Sequence, residues 1–248
     1  MKQTQILMGM PITVEVLGAD VSPALLDSVF AYFDTVDRKF STYKEDSEIS
    51  RINRHELTLA EVSADMVEVF GLSEEMREAT GGFFNIWHGG GYDPSGLVKG
   101  WAIDKAARMI QRQGFMDYYV EAGGDIQAAG KNKQGRDWRV GIRSPFNLAE
   151  IVKVLTISDR GVATSGTYAR GQHIYNPKDA SAILNKIVSL TVIGPDIYQA
   201  DCYATAAFAM GAEGIDFIES LEGFEGYSID QDGLATYTSH FARYIAHD

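Results

Sequence analysis

The chain has 248 residues, 45% of them hydrophobic and 11% aromatic, which is enough for a large core in one domain spanning residues 1–248. With 22 basic against 34 acidic side chains the formal charge is −12. That surface excludes the basic stripe of a nucleic-acid binder, so an anionic ligand must be met by backbone amides, a few Lys or Arg, or a metal.

The opening MKQTQILMGMPI has no apolar core of signal-peptide length, no run approaches a membrane span, and no lipobox-type cysteine stands near the start. Cys202 is the single cysteine, so no internal disulfide forms. A cytoplasmic location is the expectation. Residues 8–17 alternate as a half-buried strand. Ser22-Pro23 then reads as an N-cap with proline at N1, opening a helix to Phe40 that carries Leu26, Val29, Phe30, Phe33, Val36 and Phe40. Residues 41–53 read as polar turns. A second helix is expected from Ser63 to Ala79 before Gly81-Gly82, and a third from Lys99 to Gln113 before Gly114.

Strands follow at 118–122, 138–144, 151–158 and 187–194. Helical spacing returns over 198–211 and 213–221, and 241–246 reads as a last strand. Without strict βαβ alternation, the class is α+β: a single domain with mixed or antiparallel sheets packed by helices.

Five tracts carry chemistry. In YQADCYATAAFAMG (198–211), Asp201 and Thr205 share one helix face and offer the hard oxygen donors that Mg²⁺ or Ca²⁺ takes, near a helix N-terminus suited to phosphate. A dipole-complementing Asp and a packed Thr explain the same pair equally well. TGGFFNIW (80–87) places Phe83 and Phe84 beside glycines, either for stacking on a flat ring or as a buried helix C-cap. DPSGLVKGWAID (93–104) leads from Asp93 through a turn at Gly96 to Lys99 and a helix, a layout that offers amides, a carbonyl and an ammonium to a pyrophosphate; a simple cap at Asp93 serves as well. EAGGDIQAAG (121–130) allows close backbone approach at Gly123-Gly124, or a bulge or tight turn. VATSGTYARGQHIYNP (162–177) gathers Thr164, Ser165, Tyr168, Arg170 and His173 in a polar loop. No GxxxxGK[ST], GxGxxG, CxxC or HExxH is present. The residues alone therefore define a metal-assisted site for a nucleotide-sized anion.

In order, MGMPITVEVLG (8–18), FSTYKEDSEISRIN (40–53), TGGFFNIW, DPSGLVKGWAID, GGDI (123–126), WRVGI (138–142), ATSGTYAR (163–170), HIYNP (173–177) and the 198–211 tract resemble the ApbE family of FAD:protein FMN transferases. The resemblance implies FAD as substrate and Mg²⁺ as cofactor. It implies transfer of FMN to a Ser or Thr of a partner flavoprotein, with release of AMP. It assigns metal binding to Asp201, Thr205 and the Gly96 carbonyl, and flavin or nucleotide contact to Met8, Tyr43, Phe83, Phe84, Asn85, Asp93, Lys99, Thr164 and Ser165. Lys99 and His173 take the catalytic roles, His173 as base or orienting group, and Tyr43 with Phe84 is expected to sandwich the isoalloxazine. The chain departs from the family pattern in having Asn85 and Asn176 where Asp is usual, and in a shorter stretch between Trp87 and Asp93, which implies a more open site. FAD pyrophosphatase activity and non-catalytic flavin binding are the alternatives.

Overall fold

The computed structural model describes residues 1–166, 177–178 and 186–247. The elements run β1 (Lys2–Leu7), β2 (Met10–Val16), α1 (Pro23–Phe40), α2 (Glu48–Asn53), α3 (Ala64–Ala79), β3 (Trp87–His88), β4 (Gly91–Tyr92) and α4 (Ser95–Arg112). They continue through β5 (Tyr118–Ala122), β6 (Asp125–Ala129), β7 (Trp138–Arg143), β8 (Ile151–Ile157), β9 (Arg160–Gly166) and β10 (Ile187–Gly194). The last are α5 (Ile197–Met210), α6 (Gly214–Glu219), β11 (Glu225–Asp230) and β12 (Ala235–Tyr237).

Eight strands form one sheet in the order β1-β2-β5-β6-β9-β10-β11-β12, and its described neighbours pair antiparallel throughout. The expected α+β class is what forms, in its antiparallel version. One face packs against α1, α4 and α5, where Phe33, Trp101, Ile103 and Phe208 are buried with Ile12, Val120 and Val192. The other is covered by the β7–β8 hairpin, whose Trp138, Val140, Ile142, Leu155 and Ile157 meet Val162, Ile193, Tyr227 and Ile229. Trp138 fixes this hairpin further by donating its indole N–H to the Ala129 carbonyl at 2.8 Å. Among the described residues no helix is long and apolar enough to cross a membrane.

Helix α1 is built as its sequence dictates: Ser22 accepts from the Leu25 amide, Pro23 opens the first turn, and the apolar stripe is buried. Three expectations need correction. Residues 48–53 are a short helix capped by Ser47, because Ile49 and Ile52, three apart, both reach the core. Residues 241–244 form a 3-10 turn instead of a strand; Phe241 is fully buried and stacks on Tyr227 at 5.2 Å, and only Ile245 bridges to Leu155. Helix α4 begins at Ser95, four residues before Lys99, so the supposed turn at Gly96 lies in its first turn.

Glycine misled the reading of α4 because its use there is steric. A Cβ on Gly96 would lie 3.4 Å from Thr205 Cγ2, and one on Gly100 would lie 2.8 Å from both Asp201 Cβ and the Ile197 carbonyl oxygen. One stripe of α4 is therefore bare so that α5 can approach its backbone.

Candidate active site

A cavity of about 540 Å³ opens between the N-terminal end of α4, the β5–β6 turn, β9, α5 and the tip of the β7–β8 hairpin. Its floor is made where α4 and α5 touch. Asp201, on α5, is 3% exposed and accepts the Gly100 amide at 3.0 Å through Oδ2. That amide is the donor regular helix geometry assigns to the Gly96 carbonyl. Thr205, one turn further along α5, sits against Gly96 and shares a 3.4 Å hydroxyl contact with Ser165. The expected trio of Gly96, Asp201 and Thr205 is thus brought together in one place.

Lys99 rises from α4 just before Gly100, with its ammonium ion-paired to Asp125 and 3.7 Å from Asp201 Oδ1. Asp125 follows Gly123-Gly124, which have φ of +59° and +100° and make the tight two-residue turn of the β5–β6 hairpin. It is 1% exposed, and its Oδ1 accepts the Thr164 amide at 3.1 Å. Burial pushes the Asp201 carboxyl up to about 7; the Lys99 ammonium opposes that rise, and the neighbouring Asp125 carboxylate adds to it.

Phe83, Phe84, Asn85, Asp93, Lys99, Thr164 and Ser165 all line this cavity. Thr164 and Ser165 do so from strand β9 and not from a loop: Thr164 pairs with Thr191 across the sheet, their hydroxyls 2.8 Å apart. Asn85 Oδ1 accepts the Trp87 amide at 2.9 Å and Asp93 Oδ1 the Ser95 amide at 3.0 Å. Met8 and Tyr43 line a smaller adjoining pocket that shares Ser95 and Lys99 with the main one. The two rings expected to flank the isoalloxazine, Tyr43 and Phe84, line different pockets. Phe84 is 2% exposed in the wall beside Gly96, whereas Tyr43 is 97% exposed on the neighbouring pocket. Phe83 stands nearer the surface, with the Lys178 ammonium 4.1 Å above its ring. The N-terminus of α5 is not open to phosphate, because Asp196 takes the Gln199 amide and Gln127 takes that of Ile197. His173, Tyr168, Arg170 and Asn176 lie outside the described residues.

The sequence reading left Asp125 without a role. The one available signal was a carboxylate directly after a glycine pair and before a largely apolar strand, where an unpaired buried charge is costly. Arg143 and Leu148, from the β7–β8 hairpin, were missed because nothing local in WRVGIRSPFNL says that this arm folds over the cavity.

The short stretch between Trp87 and Asp93 forms the β3–β4 hairpin. Asn53 brackets Tyr92 by donating to its carbonyl at 2.9 Å and accepting its amide at 2.7 Å. The Tyr92 ring meets Trp87 and Phe70 edge-on at 4.7 and 4.8 Å. His88 from this hairpin reaches the cavity wall.

The structure thus places two buried carboxylates, hydroxyls and a lysine at the floor of a nucleotide-sized cleft, oxygen donors of the type a hard cation prefers. A model of the ApbE family matches residues 8–93 and 88–227. The chain therefore belongs to the ApbE family. It is 28% identical to an FAD:protein FMN transferase of Vibrio cholerae, over 77% of this chain and 75% of that one. A protein of the same name from Klebsiella pneumoniae is 27% identical, over 89% and 81%. Among solved structures, the flavin transferase ApbE of Vibrio cholerae superposes with a TM-score of 0.85 at 24% identity, covering 98% of each chain. The ApbE protein of Thermotoga maritima gives 0.87 at 19% identity, covering 100% of this chain and 99% of that one. At these identities the structural likeness concerns the fold.

Proposed function

We propose that this protein is an Mg²⁺-dependent FAD:protein FMN transferase. In this reading it splits the FAD pyrophosphate and joins FMN through a phosphoester to a Ser or Thr of an acceptor flavoprotein, releasing AMP. The observation that carries the proposal is the cavity floor, where Asp201, Thr205, the Gly96 backbone, Lys99 and Asp125 converge under a space of nucleotide size. The names of the curated relatives supply the substrate.

The floor suits a magnesium ion chemically. Its donors are carboxylate, hydroxyl and carbonyl oxygens with no thiol among them, and among the described residues two buried carboxylates meet the Lys99 ammonium. Asp201, Thr205 and the Gly96 carbonyl would hold the ion. Bound there, Mg²⁺ would neutralise charge that builds on the phosphoryl oxygens during transfer. The chain's own groups do the rest. Lys99 offers its ammonium to the pyrophosphate, and Asp93 with Asn85 orients the nucleotide at the rim. The buried floor excludes water from the reacting phosphorus. The acceptor hydroxyl oxygen forms the new P–O bond as the bond to AMP breaks, and its proton passes to a base, the role that the family resemblance implies for His173.

The test is incubation with FAD, Mg²⁺ and an acceptor flavoprotein, reading flavin fluorescence on the denatured acceptor together with AMP. A fluorescent acceptor with matching AMP supports the transferase. AMP with no labelled acceptor would replace it with an FAD pyrophosphatase. Tight FAD binding with no AMP would leave a flavin-binding protein.

A further inference from the structure

Three charged side chains meet at the floor from three separate elements: Lys99 on α4, Asp125 after the β5–β6 turn and Asp201 on α5. Asp125 is aimed by its backbone contact. The Thr164 amide holds Oδ1, which leaves Oδ2 directed at the Lys99 ammonium. The same ammonium is 3.7 Å from the Asp201 oxygen not engaged by Gly100. The ammonium therefore stands beside the carboxylate that the proposed function gives to a divalent cation. Two positive centres cannot share that position at low dielectric without strong repulsion.

We propose that Asp125 is a positioning residue that holds Lys99 in two settings. Without a cation, the ammonium stays paired to Asp125 while serving, at 3.7 Å, as a counter-ion to Asp201 as well. When a divalent cation arrives, Asp125 retains the ammonium on its own Oδ2, clear of Asp201 and directed into the cleft toward substrate phosphate. The inference rests on the proposed cation site and adds to it a competition between Lys99 and the cation, refereed by a carboxylate that is not a ligand.

The experiment is a titration of the full chain with Mn²⁺, followed by the electron paramagnetic resonance of the unbound ion, first alone and then with FAD. It needs no turnover. Lys99→Met removes the competitor and is expected to bind Mn²⁺ about tenfold more tightly than the native chain, even though it loses a group assigned to substrate. Lys99→Arg keeps the charge and should bind as the native chain does. Asp125→Asn leaves the ammonium undivided on Asp201, so binding should weaken by about tenfold, and Asp125→Glu should recover most of it. Unchanged or weaker binding in Lys99→Met, or Lys99→Arg binding as tightly as Lys99→Met, overturns the competition. Native affinity in Asp125→Asn, or no recovery in Asp125→Glu, overturns the positioning role. If Lys99→Met does not fold, the Asp125 pair alone decides. Absence of Mn²⁺ binding by the native chain, both alone and with FAD, removes the cation site itself and this inference with it.

Discussion

Replacing Gly100 by alanine sets two opposite expectations against each other. Helix propensity favours alanine over glycine inside α4 by about 1 kcal/mol. The structure puts the new Cβ 2.8 Å from both the Ile197 carbonyl oxygen and Asp201 Cβ, closer than packed atoms stand, and neither obstacle is the flexible end of a long side chain. Forcing the two helices apart costs about 1–3 kcal/mol as overpacking. Stretching the 3.0 Å bond from the Gly100 amide to buried Asp201 adds up to about 2 kcal/mol. The clash wins, with a net loss of about 2–3 kcal/mol once the propensity gain is subtracted. At about 2–4 °C per kcal/mol for a chain of this size, the thermal midpoint should fall by about 4–12 °C. Circular dichroism melts of the two proteins, each with EDTA and with Mg²⁺, measure this, and the stabilisation conferred by Mg²⁺ should shrink in the variant. A midpoint equal to or above that of the native chain would refute the claim that α4 and α5 are held at backbone contact here.

Asp201→Ala should abolish Mg²⁺-stimulated AMP release; a variant with the native response to EDTA and added Mg²⁺ would remove Asp201 from the site. The raised Asp201 carboxyl also makes stability depend on pH. The folded group holds its proton more tightly than the ordinary carboxyl at 3.8, so its stabilisation is complete in acid and is lost as pH rises through about 7. In EDTA the native melting temperature should therefore fall more steeply across that window than that of Asp201→Asn, and superimposable pH profiles would count against this burial. Asn53→Ala removes both bonds to Tyr92, costing about 1–3 kcal/mol. The Tyr92 amide should then exchange with solvent faster, and unchanged protection would show that the ring contacts alone hold the β3–β4 hairpin.

Much of the fold was legible wherever a helix met a full apolar stripe, as in α1 with its Ser22 cap, because that information is local. What failed was short or non-local. Ile49 and Ile52 give α2 too little periodicity to stand out from its polar neighbours. Phe241 and Ile245 suggest a strand until the Tyr227 ring claims Phe241. Gly96 looked like a turn residue because a helix that sheds side chains to admit another backbone cannot be told from a loop without its partner. At the site, Asp201 and Thr205 were readable from their spacing on one helix face. Asp125 was not, since its meaning lies in an ammonium 26 positions earlier in the chain and an amide 39 later.

The bond joining Gly100 to Asp201 closes a loop of 101 positions, and this orders events during synthesis. At about 5–20 residues per second, the ribosome adds Asp201 some 5–20 s after Gly100. For the later part of that interval, once Asp125 has been added, Lys99 and Asp125 are both present while the second carboxylate does not yet exist. A growing chain can thus settle its buried lysine on Asp125 before the second buried carboxylate of the floor is made. The floor of the cleft is completed late, by the α5 segment, and cannot be carried by a product that stops before it.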